Sequence, residues 1–224
     1  RKAPRRSDRH ATLGLIYAVN GLWLEAHQAF QNAAQLDPSE PLAQMYIGVA
    51  ARELGNSEEA IRAFLDLTSR FPKFAAGFYR LGYELLRTGD GDGAEKAYTR
   101  LTELAPNEWR GYTGLGESMI RRGQYSAAVQ SLEKALQLDS TAKIVHHLLG
   151  QAYQGLGRRE DAELELQLGR NATDSPMPDA WAKNASQHIR VLQEQVQLAS
   201  DYLDSGEPGK AVEVLAKACA YHPD

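Results

Sequence analysis

Apolar positions along the chain fall on successive helical faces, and the whole pattern repeats every 34 residues. Gly14, Gly48, Gly82, Gly116 and Gly150 keep that interval, as do Ala26, Ala60, Ala94, Ala128 and Ala162. Within one period Leu13, Gly14 and Tyr17 share one face of a helix, Gly21 follows, and Ala26, Phe30 and Ala33 share a face of a second helix before Pro38. The spacing predicts a helix, a tight turn and an antiparallel second helix. The turn glycine recurs as Gly55, Gly89, Gly123, Gly157 and Gly206, at a place where the chain leaves a helix with positive φ, so the expectation is six hairpins. A glycine on the first helix and an alanine on the second let the backbones approach, while Phe30, Phe64, Tyr98, Leu132, Leu166 and Leu215 fill the space beside them. Each hairpin then keeps an apolar face that only its neighbour can cover, which makes the chain an array and not one globular core. Pro38, Pro72, Pro106 and Pro223 end the second helix of four repeats.

These columns resemble the tetratricopeptide repeat, whose signature is W-x2-L-G-x2-Y, then A-x3-F, then P. Leu13-Gly14 with Tyr17, Ile47-Gly48, Leu81-Gly82, Leu115-Gly116 and Leu149-Gly150 with Tyr153 carry the resemblance, together with the alanine, aromatic and proline columns. It spans nearly the whole chain and implies an all-α fold, a right-handed α-solenoid of six antiparallel helix-turn-helix units. The expected organisation is a basic tail over 1–6, five contiguous units over 7–174, an inserted loop over 171–186 and a sixth unit over 187–224 that continues in a longer protein. The insert follows from Ala211 lying 49 residues after Ala162, with Ala199 where a glycine would stand. Pro176, Pro178 and Asp179 argue for a loop there, with Trp181 as its anchor on the solenoid.

Composition narrows the class. With 43% hydrophobic and 24% charged residues, the chain can bury an ordered core. No run approaches the roughly 18 apolar residues of a membrane helix. The net charge of −4 hides a basic start, Arg1, Lys2, Arg5, Arg6 and Arg9 against Asp8, on an acidic body. A short basic tail is not the extended basic surface that phosphate binding needs, so nucleic acid is not an expected partner. The single cysteine, Cys219, excludes an internal disulfide and a cysteine-based zinc site. For location, cytoplasm and periplasm both stay open. The repeats look bacterial, and the insert is faintly similar to exported bacterial repeat proteins, which leans the expectation outside the cytoplasm.

The resemblance implies binding on the concave face made by the first helices. Positions three before, one after, and four or five after each first-helix glycine should line it. Met45, Tyr46, Val49, Tyr79, Arg80, Tyr83, Arg87, Arg110, Glu117, Arg121, His147 and Gln151 are the candidate groove residues. Tyrosine and arginine often carry interface energy, because each joins large area to directed hydrogen bonds. The tyrosines would hold an apolar or aromatic anchor and the arginines would read carboxylates, so the implied ligand is an acidic-hydrophobic peptide or helix. Against this stands packing of the tyrosines between helices and pairing of the arginines on the helix surface, as in Arg121 with Glu117. The carboxylate clamp of the family's chaperone-binding members is missing: the lysine and asparagine positions read Ala11/Leu15, Met45/Val49, Tyr79/Tyr83 and Thr113/Glu117. An asparagine ladder like that of the sugar-transferase members is missing too.

No catalytic, metal or cofactor constellation emerges. His146 and His147 are adjacent and diverge by about 100° on a helix, so they cannot share a metal. The GDGDG stretch, Gly89 to Gly93, looks like a fragment of a calcium loop but lacks the other acidic ligands and the closing glutamate. The expected activity is therefore a non-enzymatic protein-protein interaction scaffold. Two alternatives stay open, a structural or oligomerisation module that self-assembles through its ends, with the C-terminal end as the homo-oligomer contact, and a regulatory segment of a larger enzyme.

Overall fold

Helix pairs form where the 34-residue pattern places them. The computed structural model describes residues 6–173, 177, 197–203, 205–210 and 212–214. The readings made for Trp181, Cys219, Leu215 and most of the insert lie outside the described residues. Ten helices follow one another: α1 (Arg6–Val19), α2 (Trp23–Leu36), α3 (Pro41–Glu53), α4 (Ser57–Arg70), α5 (Ala75–Thr88), α6 (Gly91–Leu104), α7 (Trp109–Arg121), α8 (Tyr125–Leu138), α9 (Lys143–Gly155) and α10 (Arg159–Leu168). Further helical stretches lie at 197–203, 208–210 and 212–214. Among the described residues there is no strand, and the fold is an all-α array of consecutive helix pairs.

The turn inside each pair has one chemical form. In repeat two the amide of Asn56 donates to the Ala51 carbonyl and that of Gly55 to the Arg52 carbonyl, both at 2.9 Å. This is the Schellman closure, which satisfies two orphan carbonyls but demands a left-handed residue at the glycine. Gly55 has φ 82°, and the equivalent Gly21, Gly89, Gly123, Gly157 and Gly206 lie between 72° and 92°. The next helix starts on a side-chain cap in two repeats. Asn56 accepts from the Glu59 amide at 3.2 Å, and Asp90 from the Gly93 amide at 2.8 Å. The Asp90 carboxylate is thus committed to α6, and Asp92 faces Arg122 at 3.2 Å. That accounts for GDGDG as turn and cap.

The chain divides into two compact bodies, residues 1–43 with 178–224 and residues 44–177. In the first, α1 packs on α2, and a Cβ built on Gly14 would lie 2.6 Å from the Phe30 ring. Ala11, Ala33 and Ala43 form a small buried cluster beside that contact. The second body repeats the same joint. Cβ atoms at Gly48, Gly82, Gly116 and Gly150 would meet Phe64, Tyr98, Leu132 and Leu166 at 2.6, 2.8, 2.5 and 2.5 Å. Real Cβ contacts are never so short, so the glycine column exists to seat the ring or leucine of the second helix. From Ala128 to Ala162 the joints merge into one core containing Leu132, Val145, Leu149 and Tyr153.

Tyr98 shows how neighbouring repeats trade volume. Its ring lies between Gly82 of its own repeat and Gly114 of the next, where a Cβ would stand 2.4 Å away. One repeat later the same two columns hold Leu132 and Leu148, a smaller residue matched to a larger one. Gly114→Ala is therefore expected to cost about 1–2 kcal/mol by overpacking. Adding Tyr98→Leu should recover part of that loss in urea denaturation. No recovery would mean that the helix backbone, and not the ring, limits the site.

Candidate interaction surface

The first helices of the second body form a continuous row, α5 touching α7 and α7 touching α9. This closeness decides which candidate positions face outward. Met45, Tyr46, Val49 and Tyr79 are buried, at 0, 7, 6 and 5% exposure, and do not present their side chains to a partner. Their assignment to the groove surface is corrected. In repeats two to four the side chain three before the glycine is buried, whereas His147, three before Gly150, is only partly so; Val49, one after its glycine, is also covered. Thr113, in the same column as Met45 and Tyr79, is likewise buried and donates to the Trp109 carbonyl at 3.0 Å.

Tyr83 is half-buried and accessible, as are Arg80, Arg110, Glu117, His147 and Gln151, while Arg87 and Arg121 are exposed. The Arg52 guanidinium sits over the Tyr83 ring, 5.5 Å from its centroid, which links repeat two to repeat three. Arg87 lies one helical turn after Tyr83 on the same face. Arg80 stands 5.7 Å from the Tyr79 ring and so helps to cover it. In repeat five the Gln151 amide nitrogen is 2.9 Å from His147 Nε2, an arrangement in which neutral imidazole accepts. The adjacent His146 turns elsewhere, its Nδ1 2.6 Å from Glu165 on α10. The two histidines do separate jobs.

Most arginines on this face carry a carboxylate partner. Arg52 pairs with Glu53 at 2.5 Å, Arg110 with Glu108 at 2.7 Å and Arg121 with Glu117 at 2.8 Å. Arg110 also lies 4.4 Å from the centroid of Trp109. Arg121–Glu117 is the most exposed of the three, and a pair of that sort is worth about 0–1 kcal/mol, so an incoming carboxylate can exchange with it at small cost.

Arg87 is held differently. Its Nε lies 3.2 Å from Glu84 Oε2 and its Nη2 lies 2.5 Å from Glu84 Oε1, while Nη2 also donates to the Ser57 hydroxyl of α4. Glu84 is fully buried, whereas the Arg87 side chain is 45% exposed. Hydrogen bonding to Glu84 holds the guanidinium above its ordinary pKa. Glu84 was absent from the sequence-predicted set. Its signal is a column, two after the glycine, in which Ala50, Ser118 and Ala152 are the corresponding residues.

The second helices present a charged surface. An open cleft of about 510 Å³ runs along α6, lined by Asp92, Glu95, Lys96, Thr99, Arg100, Glu103 and Arg122. Arg122 bridges Asp92 and Glu95 there. Among the described residues no group of His, Cys, Asp and Glu is placed to hold a metal, and no helix is long and apolar enough to cross a membrane.

Comparison with known proteins agrees with this architecture. Residues 12–73 and 75–108 match tetratricopeptide repeat families, and residues 116–157 match a TPR repeat family. No curated protein matches in sequence. Among solved structures, MamA 41-end from Desulfovibrio magneticus RS-1 superposes with a TM-score of 0.65 at 20% identity, over 76% of this chain and 100% of that one. Another MamA crystal structure gives 0.63 at 18% identity, covering 76% and 98%. A thermophilic TPR protein of Thermus thermophilus gives 0.60 at 19% identity, covering 81% and 97%. At these identities the likeness concerns the fold.

Proposed function

Because the chain belongs to the tetratricopeptide repeat family, a fold that serves as a protein-interaction scaffold, we propose that it is a non-enzymatic adaptor that holds a partner peptide or helix on the first-helix face of repeats two to four. The observation that carries this reading is the cluster of Arg52, Tyr83 and Arg87, in which an accessible tyrosine is flanked by two guanidinium groups. Such a cluster suits an apolar or aromatic anchor next to an acidic residue. Arg80, Arg110 and Arg121 place further guanidinium groups along the face, the last two paired with Glu108 and Glu117, and His147 and Gln151 supply hydrogen-bonding groups toward repeat five. The partner is a protein, since the basic groups are paired with acids and make no extended cationic surface of the kind nucleic acid requires.

The test is selection of displayed peptides against the wild-type chain, followed by retesting on a Tyr83→Ala, Arg80→Glu variant. Tyr79 is left intact because it is buried. Selected peptides should carry an aromatic or aliphatic residue near an acid, and their affinity should fall at least roughly tenfold on the variant, as expected at an interface hot spot. Binders that are indifferent to both substitutions would move the site elsewhere.

Self-association is the rival reading, and one observation favours it. Leu164 and Leu168 of α10 are 58 and 48% exposed. The equivalent columns hold Gln28, Arg62, Lys96 and Gln130, and Asn32, Asp66, Arg100 and Lys134. A mass that rises with concentration in sedimentation velocity, and stops rising in Leu164→Lys, would support that reading.

A further inference from the structure

Glu84 is out of place in its column, and its geometry gives it a use. The column is closed to solvent: Ala50 and Ala152 are fully buried, as is Ser118, whose hydroxyl is satisfied by the Gly114 carbonyl at 2.7 Å. Glu84 brings a carboxylate to that depth, which is closed to solvent. Burying an ion is costly unless the charge is met by well-directed donors. Here the donors come from one residue, Arg87, through Nε and Nη2. A third contact, from Nη2 to the Ser57 hydroxyl, fastens the same guanidinium to repeat two.

The consequence for Arg87 is loss of freedom without loss of access. A solvated arginine side chain gives up rotamer entropy each time it binds an anion, and a guanidinium already fixed in plane does not. Among the described residues Nη1 makes no hydrogen bond, and nearly half of the side chain is open to solvent. Nη1 therefore offers its two N–H donors in a set direction, one helical turn from Tyr83. Arg121 on the next repeat differs in this respect. Its partner Glu117 is itself partly exposed, so that pair is free to rearrange.

We propose that Glu84 is a positioning residue that presents Arg87 as a preset receptor for one carboxylate of the bound peptide, with the residue next to that carboxylate lying on Tyr83. This rests on the first-helix face being the binding surface and adds which ligand group is read there and what holds the reader. The ligand group is an aspartate or glutamate side chain or a C-terminal carboxylate, whose oxygens would accept charge-assisted hydrogen bonds from Nη1.

The experiment uses the display-selected peptides, each made in its acid form and with its carboxylates converted one at a time to amides. Binding is measured to the full chain and to its Arg87→Lys, Glu84→Gln and Tyr83→Ala variants. On the wild-type chain one acid form should bind roughly ten- to hundredfold more tightly than its amide. Arg87→Lys should reduce that ratio to near unity, since a flexible point charge does not replace a guanidinium whose direction Glu84 fixes. Glu84→Gln should lower the ratio while leaving the affinity of the amide peptide unchanged, an outcome that general loosening of the fold would not give. Equal binding of acid and amide, or an acid preference that survives Arg87→Lys, overturns the assignment. If Tyr83→Ala still abolishes binding in that case, the face is right and the carboxylate receptor alone is wrong. If Tyr83→Ala has no effect on any binder, the binding surface itself is misplaced and the receptor falls with it.

Discussion

Replacing Phe64 by alanine is expected to destabilise the chain by about 3–5 kcal/mol, the range for truncating a fully enclosed aromatic ring. The ring is 1% exposed and fills the depression left by Gly48, whose missing Cβ would stand 2.6 Å from Cε1. Collapse into the void is restricted on two sides. The Schellman turn at Gly55 fixes the spacing of the two helices, and the Asn56 cap fixes the start of α4. The neighbouring Leu65 provides the internal control, because it is 50% exposed and its truncation should change stability by no more than about 0.5 kcal/mol. Urea denaturation followed by far-ultraviolet circular dichroism would give both values. Amide exchange should show the loss of protection concentrated in α3, α4 and α5, because in a linear array each hairpin is stabilised by itself and its neighbours. A cost for Phe64→Ala equal to that of Leu65→Ala would show that the glycine joint does not carry the fold.

The joints were legible in the residues because they depend on local geometry repeated at a fixed interval. A glycine faces a ring, an alanine lies beside it, and a left-handed glycine closes the turn. Depth was not legible in the same way. Helical phase puts Tyr79 and Tyr83 on related faces, but packing buries one and leaves the other half open. The distance between successive first helices depends on side chains from three helices, which phase within one helix does not contain. Charge pairing was foreseen for Arg121 with Glu117, an i, i+4 arrangement that sequence displays directly. The pairing of Arg87 with Glu84 has equally local spacing, yet its meaning comes from Glu84 being enclosed while Arg87 is not. Burial turns an ordinary surface pattern into a fixed one.

That asymmetry makes the two halves of the pair unequal under mutation. Arg87→Ala is expected to destabilise the chain by about 2–3 kcal/mol, since it strands a carboxylate in the interior. The value lies below the range for a pair enclosed on both sides because Arg87 is half solvated. Glu84→Met should cost less than about 1 kcal/mol, because the released guanidinium is taken up by water and the methionine stem occupies the vacated volume in a column built for apolar and small residues. Combining the two substitutions should then be milder than Arg87→Ala alone, a positive coupling that a double-mutant cycle in urea measures directly. A cost for Glu84→Met equal to or above that of Arg87→Ala would place Glu84 among the residues that hold the hairpin together. The expected order instead assigns Glu84 little net worth in stability, and a buried acid that contributes little to the fold has its use in what it does to Arg87. Glu84→Met would then give a chain nearly as stable as the wild type whose preference for acidic over amidated peptides is lost.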